Sequence, residues 1–219
     1  MNVVAAQLEF VHRYVPAQDS NATTLLLLHG TGANETDMLP LGKSLAHDAA
    51  LLSPRGRVSE NGMNRFFRRP AEGVFDVDDL RFRTHELAEF VEAASQVYHR
   101  APDRIVAVGF SNGANIAASL LLLHPGLLHA GALFSPTVPL VPGQKPDLAG
   151  TAVLIVAGRA DPIVGPEETE RLVTLLREAG AEVTVHWHWG GHTINNGQIE
   201  AAKSWLLRMQ GREREHAKR

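Results

Sequence analysis

The chain contains 219 residues, 44% of them hydrophobic, which suits one globular domain with a sizeable buried core. Its formal net charge of −3 disfavours electrostatic binding of nucleic acid. The sequence contains no cysteine, which excludes disulfides, thiolate metal sites and a cysteine nucleophile, and which fits a reducing compartment.

Two features bear on where the protein resides. The first ten residues, MNVVAAQLEF, lack both the basic region and the long apolar core of a secretory signal. The longest apolar run, residues 116–123, is too short to span a bilayer. We therefore expect a cytoplasmic protein without a membrane partner.

Apolar runs alternate with amphipathic segments along the chain. The predicted strands cover residues 8–15, 23–28, 50–53, 105–108, 129–135, 151–157 and 182–189. The predicted helices cover residues 38–50, 84–100, 114–124, 167–179 and 198–209. This order predicts an α/β fold with a mainly parallel sheet of about seven strands, covered by helices on both faces.

The same pattern predicts one domain, residues 1–210, with neither a lid domain nor an internal repeat. We expect the charged C-terminal tail, residues 211–219, to be frayed. Asp37 and Thr84 are the predicted N-caps of the first two helices, and Gly180 is the predicted stop of the fourth. The apolar face of the last predicted strand consists of Val183, Val185, Trp187 and Trp189.

One stretch, residues 105–115 (IVAVGFSNGAN), reads as a strand, a tight turn and a helix with Ser111 at the apex. A serine on such a turn is lifted clear of the sheet at a helix N-terminus, and flanking glycines let strand and helix approach closely. The G-x-S-x-G motif is short, and the alternative is a glycine-rich turn whose exposed serine has no role.

The ends of the other predicted strands supply chemical partners for this serine. In open α/β sheets, ligands bind beyond the carboxyl ends of the strands. Asp161 and His192 each follow a predicted strand, so Ser111, Asp161 and His192 occur in the chain order of the α/β-hydrolase triad. Asp147 and Glu167 are alternative acids, but neither directly ends a strand.

Proton chemistry assigns a role to each residue. Ser111 is the nucleophile, His192 is its general base and Asp161 orients the imidazole. The oxyanion of the tetrahedral intermediate needs preorganised donors. We assign these donors to the backbone N–H groups of Asn112 and Thr31, so that Asn112 matters for its backbone and not for its side chain.

Three histidines have other interpretations. His29 precedes the turn at residues 30–32 and is expected to fix that loop by hydrogen bonding. His186 and His188 share a strand face and form either a metal-binding pair or a pair of solvated edge-strand residues, the second being favoured because no third ligand is near. We expect no metal site.

The segment 55–79 is the least regular in the chain and carries five arginines. These arginines form either a solvated rim, which we favour, or a substrate clamp. The neighbouring aromatic pair, Phe66 and Phe67, either packs in the core or lines an acyl pocket.

Five motifs in this order give a family resemblance. They are LLLLHGTGANETDM, the Ser-Pro-Arg-Gly and Glu-Asn-Gly loop, GFSNGAN, GRADPIV and GGHTI. Together they resemble the small, lidless carboxylesterase/phospholipase family of the α/β-hydrolase superfamily. This family includes acyl-protein-thioesterase-like enzymes and bacterial hydrolases of the hydroquinone-response type.

The resemblance implies an α/β-hydrolase fold and a cofactor-independent esterase with Ser111, Asp161 and His192 as triad. It also implies Thr31 and Asn112 as oxyanion-hole residues. Asn112 stands where the thioesterase subgroup commonly has glutamine, and the FFRR stretch departs from that subgroup as well. Dienelactone hydrolases resemble the chain in size but use a cysteine nucleophile, which this sequence lacks.

The function expected from these observations is hydrolysis of small or medium carboxylic esters through an acyl-enzyme. A thioesterase or a lysophospholipase with the same triad is the alternative within enzymes. A small-molecule sensor that keeps the fold without useful turnover is the alternative outside them. The expected partner is a small-molecule ester, and a homodimer is compatible with the sequence.

Overall fold

The computed structural model describes residues 8–19, 21–71 and 73–216, and of residues 212–216 it describes the backbone alone. The N-terminal residues 1–7, on which the signal-peptide prediction depends, lie outside this range. The strands are β1 His12–Val15, β2 Thr24–Leu28, β3 Ala50–Pro54, β4 Val58–Glu60, β5 Met63–Arg65, β6 Ile105–Phe110, β7 Ala130–Phe134, β8 Ala152–Gly158 and β9 Glu182–His188.

Seven of these strands form one sheet in the order β1-β3-β2-β6-β7-β8-β9. Only β1, at one edge, runs antiparallel to its neighbour, and the other pairs are parallel. The predicted mainly parallel sheet is therefore confirmed. Strands β2, β3 and β7 are buried along their whole length, and β6 and β8 at all but one residue, because helices cover both faces of the sheet.

Five helices cover the sheet: α1 Leu39–Leu45, α2 Val77–Val97, α3 Asn112–Leu123, α4 Pro166–Glu178 and α5 Asn196–His216. Helices α2, α3 and α4 pack on one face, and α1 and α5 pack on the other. Helix α5 continues through residues 211–216, into the tail that the sequence predicts to be frayed. None of the helices in the described ranges combines the length and the hydropathy needed to cross a bilayer.

Both predicted N-caps are wrong. Helix α2 begins two turns before Thr84, at Asp76, whose side chain accepts a hydrogen bond from the Asp79 N–H. Thr84 lies inside the helix, where its hydroxyl donates to the Leu80 carbonyl. The carboxylate of Asp37 accepts from the Asn34 N–H in the preceding turn, so it does not cap α1.

The predicted irregular segment 55–79 contains a regular hairpin. Strands β4 and β5 pair antiparallel around Asn61 and Gly62, which have φ values of 52° and 76°. Asn-Gly favours a two-residue hairpin turn because both positions adopt positive φ at low cost. This hairpin extends over the carboxyl ends of the central strands.

Strand β9 alternates as predicted, with one exception. Val183, Val185 and Trp187 pack against the core, whereas Trp189 lies beyond the strand and is 85% exposed. The guanidinium of Arg159 lies over both tryptophan rings, 4.7 Å from the centre of Trp187 and 5.8 Å from that of Trp189. Trp189 therefore belongs to the surface near the strand ends and not to the core.

Candidate active site

Ser111 occupies the turn between β6 and α3. Its φ of 53° and ψ of −115° lie in a region that residues other than glycine rarely adopt. Its N–H donates to the carbonyl of Phe134, at the end of the neighbouring strand, over 2.9 Å. At this turn between β6 and α3, the hydroxyl oxygen of Ser111 lies 2.8 Å from Nε2 of His192.

Two glycines make this turn sterically feasible. A Cβ at Gly113 would lie 2.0 Å from the carbonyl oxygen of Leu28, in the neighbouring strand β2. A Cβ at Gly109 would lie 2.5 Å from the carbonyl oxygen of Gly113. Because both obstructions are backbone atoms, no side-chain movement can relieve them. The two glycines of G-x-S-x-G are therefore required by the packing of α3 on the sheet.

The structure brings Ser111, His192 and Asp161 together in one hydrogen-bonded chain. Nε2 of His192 lies 2.8 Å from Oγ of Ser111, and Nδ1 lies 2.8 Å from Oδ2 of Asp161. An ionised carboxylate only accepts hydrogen bonds, so a neutral His192 carries its proton on Nδ1 and presents a lone pair at Nε2 to the serine hydroxyl. The side chains of His192 and Asp161 are 13% and 1% exposed.

The second oxygen of Asp161 is held by backbone donors. Oδ1 accepts from the N–H groups of Ile163 and Val164 over 2.8 and 3.0 Å. Burial raises the pKa of the Asp161 carboxyl, but these two backbone bonds and the bond from His192 together outweigh it. The pKa of Asp161 therefore lies below its ordinary value, and the group stays ionised.

The alternative acids are not part of this arrangement. Asp147 is exposed, and its carboxylate accepts a hydrogen bond from the N–H of Ala149. Glu167 is exposed near the first turn of α4. The geometry thus joins His192 to Asp161, the acid that directly follows a strand.

His29 fixes the loop after β2, as predicted from the sequence. Its ring is fully buried, with Nδ1 2.7 Å from the Gly30 carbonyl and Nε2 accepting from the Gly56 N–H over 3.0 Å. Both bonds require the neutral tautomer with its proton on Nδ1. Burial lowers the pKa of His29, which favours that neutral form.

Thr31 and Asn112 each follow the end of a strand, β2 and β6. These two strands are neighbours in the sheet, where Leu28 pairs with Gly109. Residues 30–33 form a turn closed by a bond from the Ala33 N–H to the Gly30 carbonyl, and Gly32 has a φ of 84°. Thr31 is the second residue of this turn, so the turn itself does not use its N–H. Asn112 is the first residue of α3, whose N–H has no acceptor within the helix.

The side chain of Asn112 has a partner that the sequence does not reveal. Its Oδ1 accepts a hydrogen bond of 2.7 Å from the backbone N–H of Phe66, in a buried environment. The expectation that only the backbone of Asn112 matters is therefore incomplete. Phe66 and Phe67 are both buried in the main core, Phe66 against the ring of His29, which favours core packing over an acyl pocket.

The arginines of segment 55–79 are not all solvated. Arg65 is only 4% exposed, and its Nη1 donates to the hydroxyl of Thr31 over 3.1 Å. Its Nε lies 3.1 Å from a carboxylate oxygen of Glu60. Arg55 donates two hydrogen bonds to the buried Glu35 and thereby lowers the pKa of that carboxyl. The predicted solvated rim is therefore wrong for Arg65, and nothing in the local composition distinguishes it from its neighbours.

His188 is engaged by protein atoms. Its Nδ1 accepts from the Gly190 N–H over 3.0 Å, and its Nε2 lies 2.7 Å from the side-chain amide of Gln198. Burial and, to a lesser degree, His186 lower its pKa. Within residues 8–19, 21–71 and 73–216, no group of three or more His, Asp or Glu side chains is placed to hold a metal ion.

A strained serine between a strand and a helix, at the carboxyl edge of a mainly parallel sheet, defines the molecule as an α/β-hydrolase. The model of the dienelactone hydrolase family matches residues 75–208 of the chain. The chain belongs to this family, and it carries Ser111 at the elbow and no cysteine anywhere in its sequence.

Individual proteins and solved structures similar to this chain are also hydrolases by name. The Bacillus subtilis (strain 168) protein named "Putative hydrolase MhqD" is 46% identical over 193 residues, which cover 88% of this chain and 96% of that protein. The crystal structure of a Bacillus cereus carboxylesterase is 48% identical with a TM-score of 0.90, covering 92% of this chain and 95% of that one. A carboxylesterase structure from Mesorhizobium loti is 35% identical with a TM-score of 0.86, covering 92% and 96%. The resemblance drawn from the motifs is confirmed, and the chain is a carboxylesterase-like hydrolase.

Proposed function

We propose that the protein is a serine carboxylesterase that cleaves esters of small or medium acyl chains through an acyl-enzyme. The observation that carries this proposal is the chain of two 2.8 Å contacts from Asp161 through His192 to Ser111. The carboxylesterase structures among its relatives support the substrate class.

Acylation follows from the proton positions. Nε2 of His192 accepts the hydroxyl proton of Ser111 while Oγ bonds to the ester carbonyl carbon. Asp161 stabilises the imidazolium that forms. The tetrahedral oxyanion is bound by the N–H groups of Asn112 and Thr31. When the intermediate collapses, the carbon–oxygen bond to the alcohol breaks and His192 returns its proton to the leaving alkoxide.

Deacylation repeats these steps with water. His192 removes a proton from a water molecule, whose oxygen attacks the acyl carbon, and the second tetrahedral intermediate expels Ser111 Oγ. His192 reprotonates that oxygen, and the carboxylic acid leaves. Each proton and bond change is carried by these side chains together with water, so the cycle requires neither a metal nor a cofactor.

The proposed preference for small or medium acyl chains rests on what surrounds the strand ends. The short hairpin of β4 and β5, with three residues in each strand, lies beside the loop after β2. Phe66 and Phe67 are buried in the core and offer no apolar wall to a long chain.

A panel of ester, thioester and lactone substrates tests the proposal. We expect the wild type to hydrolyse carboxylic esters best and Ser111→Ala to lose turnover by at least about a thousandfold. Ser119→Ala is the matched control, because it removes another serine of α3 whose hydroxyl donates only to the Asn115 carbonyl within the helix. Preference for thioesters would favour the thioesterase alternative, and full activity of Ser111→Ala would contradict the proposal.

A further inference from the structure

Three consecutive residues at the end of the β4–β5 hairpin form hydrogen bonds to the side chains of Thr31 and Asn112 and to the two residues after Thr31. We propose that Asn64, Arg65 and Phe66 are positioning residues that hold the Thr31 and Asn112 N–H groups at the separation that the oxyanion requires. We call residues 64–66 the bracket. The inference rests on the proposed function, because it assigns a task within that oxyanion hole.

The bracket holds the loop after β2 at three consecutive residues. The Gly32 N–H donates to the Asn64 carbonyl over 2.9 Å, and the Asn64 side-chain amide donates to the Ala33 carbonyl over 3.0 Å. Arg65 Nη1 donates to the Thr31 hydroxyl over 3.1 Å. The turn that presents the Thr31 N–H is therefore held by hydrogen bonds from Asn64 and Arg65 as well as by its own bond from the Ala33 N–H to the Gly30 carbonyl.

The next bracket residue holds the other donor. The backbone N–H of Phe66 donates to Oδ1 of Asn112 over 2.7 Å, and both residues are buried. Since Asn112 begins α3, this bond sets the position of the residue whose N–H is the second donor. One short segment thus joins two loops that lie about 80 residues apart in the chain.

The bracket is itself held in place. A Cβ at Gly56 would lie 2.3 Å from the Arg65 carbonyl oxygen, so residue 56 and the bracket are in direct backbone contact. Arg65 is buried beside Glu60, and the Phe66 ring lies 4.7 Å from the His29 ring. Movement of the bracket would break several buried contacts, which makes it a rigid spacer between the two donors.

Rigid spacing matters because the donors must meet an oxygen that exists only in the transition state and the intermediates. A displacement of about 1 Å in such a site can cost about a hundredfold in rate. The substrate's ground state depends much less on these bonds, so loosening the bracket lowers kcat with little change in KM.

The test compares Thr31→Val with Thr31→Ser. Valine keeps the backbone N–H and the shape of the side chain but removes the acceptor for Arg65, whereas serine retains it. We expect Thr31→Val to lower kcat about ten- to a hundredfold with KM nearly unchanged. Affinity for a trifluoromethyl ketone, whose adduct with serine places an oxyanion in the hole, should fall by a similar factor. Thr31→Ser, which keeps the acceptor for Arg65, should lose clearly less kcat and less ketone affinity than Thr31→Val.

Two further variants separate positioning from loss of folding. Arg65→Met combined with Thr31→Val should reduce kcat no more than the more impaired single variant, since both remove one contact. Asn64→Ala removes only the bond to the Ala33 carbonyl at a half-buried residue, and we expect a smaller loss of kcat and ketone affinity at an unchanged Tm.

The outcomes distinguish the two proposals. Wild-type kcat and ketone affinity in both Thr31→Val and Asn64→Ala would overturn the bracket while leaving the serine esterase intact. A rise in KM without loss of kcat or ketone affinity would also overturn it, because that pattern indicates a ground-state contact. A wild type that neither forms an acyl-enzyme nor binds the ketone would overturn the proposed function and the bracket together.

Discussion

At the scale of single residues, Asp161 determines which nitrogen of His192 faces the serine. Its two oxygens have separate tasks, since Oδ1 accepts two backbone bonds and Oδ2 accepts from His192 Nδ1. This arrangement keeps the carboxylate ionised and the imidazole proton on Nδ1. The lone pair at Nε2 that the mechanism requires is therefore a consequence of the loop after β8.

Asp161→Asn tests this dependence. The backbone bonds to Oδ1 orient the new side chain so that its NH₂ group faces His192, which favours the tautomer with the proton on Nε2. That tautomer cannot accept the serine proton. We expect kcat to fall by about 10⁴, with KM changed little, in steady-state assays. Asp147→Asn and Glu167→Gln are the controls, and a large loss in either with only a small loss in Asp161→Asn would refute the assignment.

His29 should make the stability of the fold depend on pH. Burial lowers the pKa of His29 from its ordinary value of 6.5. Below about pH 6.5, His29 therefore binds a proton in the unfolded chain while it stays neutral in the native protein. The free energy of unfolding therefore falls as pH drops from 6.5 towards the native pKa. In urea titrations across this range, His29→Gln should show a weaker dependence than wild type. Parallel curves for the two proteins would contradict this account of His29.

At the scale of elements, the turn between β6 and α3 is determined by backbone contacts that cross to β2. The elbow could be predicted because each requirement has a sequence signature: an apolar β-branched strand, glycines at the close approaches and small residues at the helix start. The start of α2 was not predicted correctly, because aspartate and threonine are both common N-cap residues and the helix begins at Asp76, two turns before Thr84.

Gly113→Ala tests the elbow's steric requirement. The added Cβ would meet the Leu28 carbonyl at 2.0 Å, so α3 must shift away from β2. We expect a loss of about 3 kcal/mol in the free energy of unfolding, and a loss of activity because Ser111 moves with the helix. Gly143→Ala is the matched control, since a Cβ there has no neighbour within 4 Å. Equal stability of the two variants in urea unfolding would show that the contact relaxes easily.

At the scale of the whole molecule, the sheet order brings together residues that are distant in sequence. The grouping of Ser111, Asp161 and His192 could be predicted because each residue lies within a few positions of a strand end, and parallel strands end at one edge. The contacts of the bracket could not, because the bonds from Arg65 to Thr31 and from Phe66 to Asn112 depend on how the hairpin packs over that edge. Nothing in the sequence around Arg65 indicates that this arginine, one of five in segment 55–79, is the buried one.

The hairpin beside the loop after β2 also bears on acyl-chain preference. Each methylene that a pocket buries contributes about 0.8 kcal/mol, or about fourfold in kcat/KM, and methylenes that remain in water contribute nothing. In a series of p-nitrophenyl esters from acetyl to dodecanoyl, we expect kcat/KM to rise over the first members and to level off or fall by about octanoyl. A continued rise to dodecanoyl would contradict the proposed preference for small or medium acyl chains.

Covalent labelling of Ser111 is the most direct test of the proposed mechanism. The protein is incubated with a fluorophosphonate and its intact mass is measured, followed by peptide mapping. We expect one phosphonyl group per chain, located on Ser111, a loss of esterase activity in parallel with labelling, and no label on Ser111→Ala at an unchanged Tm. An active wild type that takes up no label, or a Ser111→Ala variant that is labelled and active, would contradict the account.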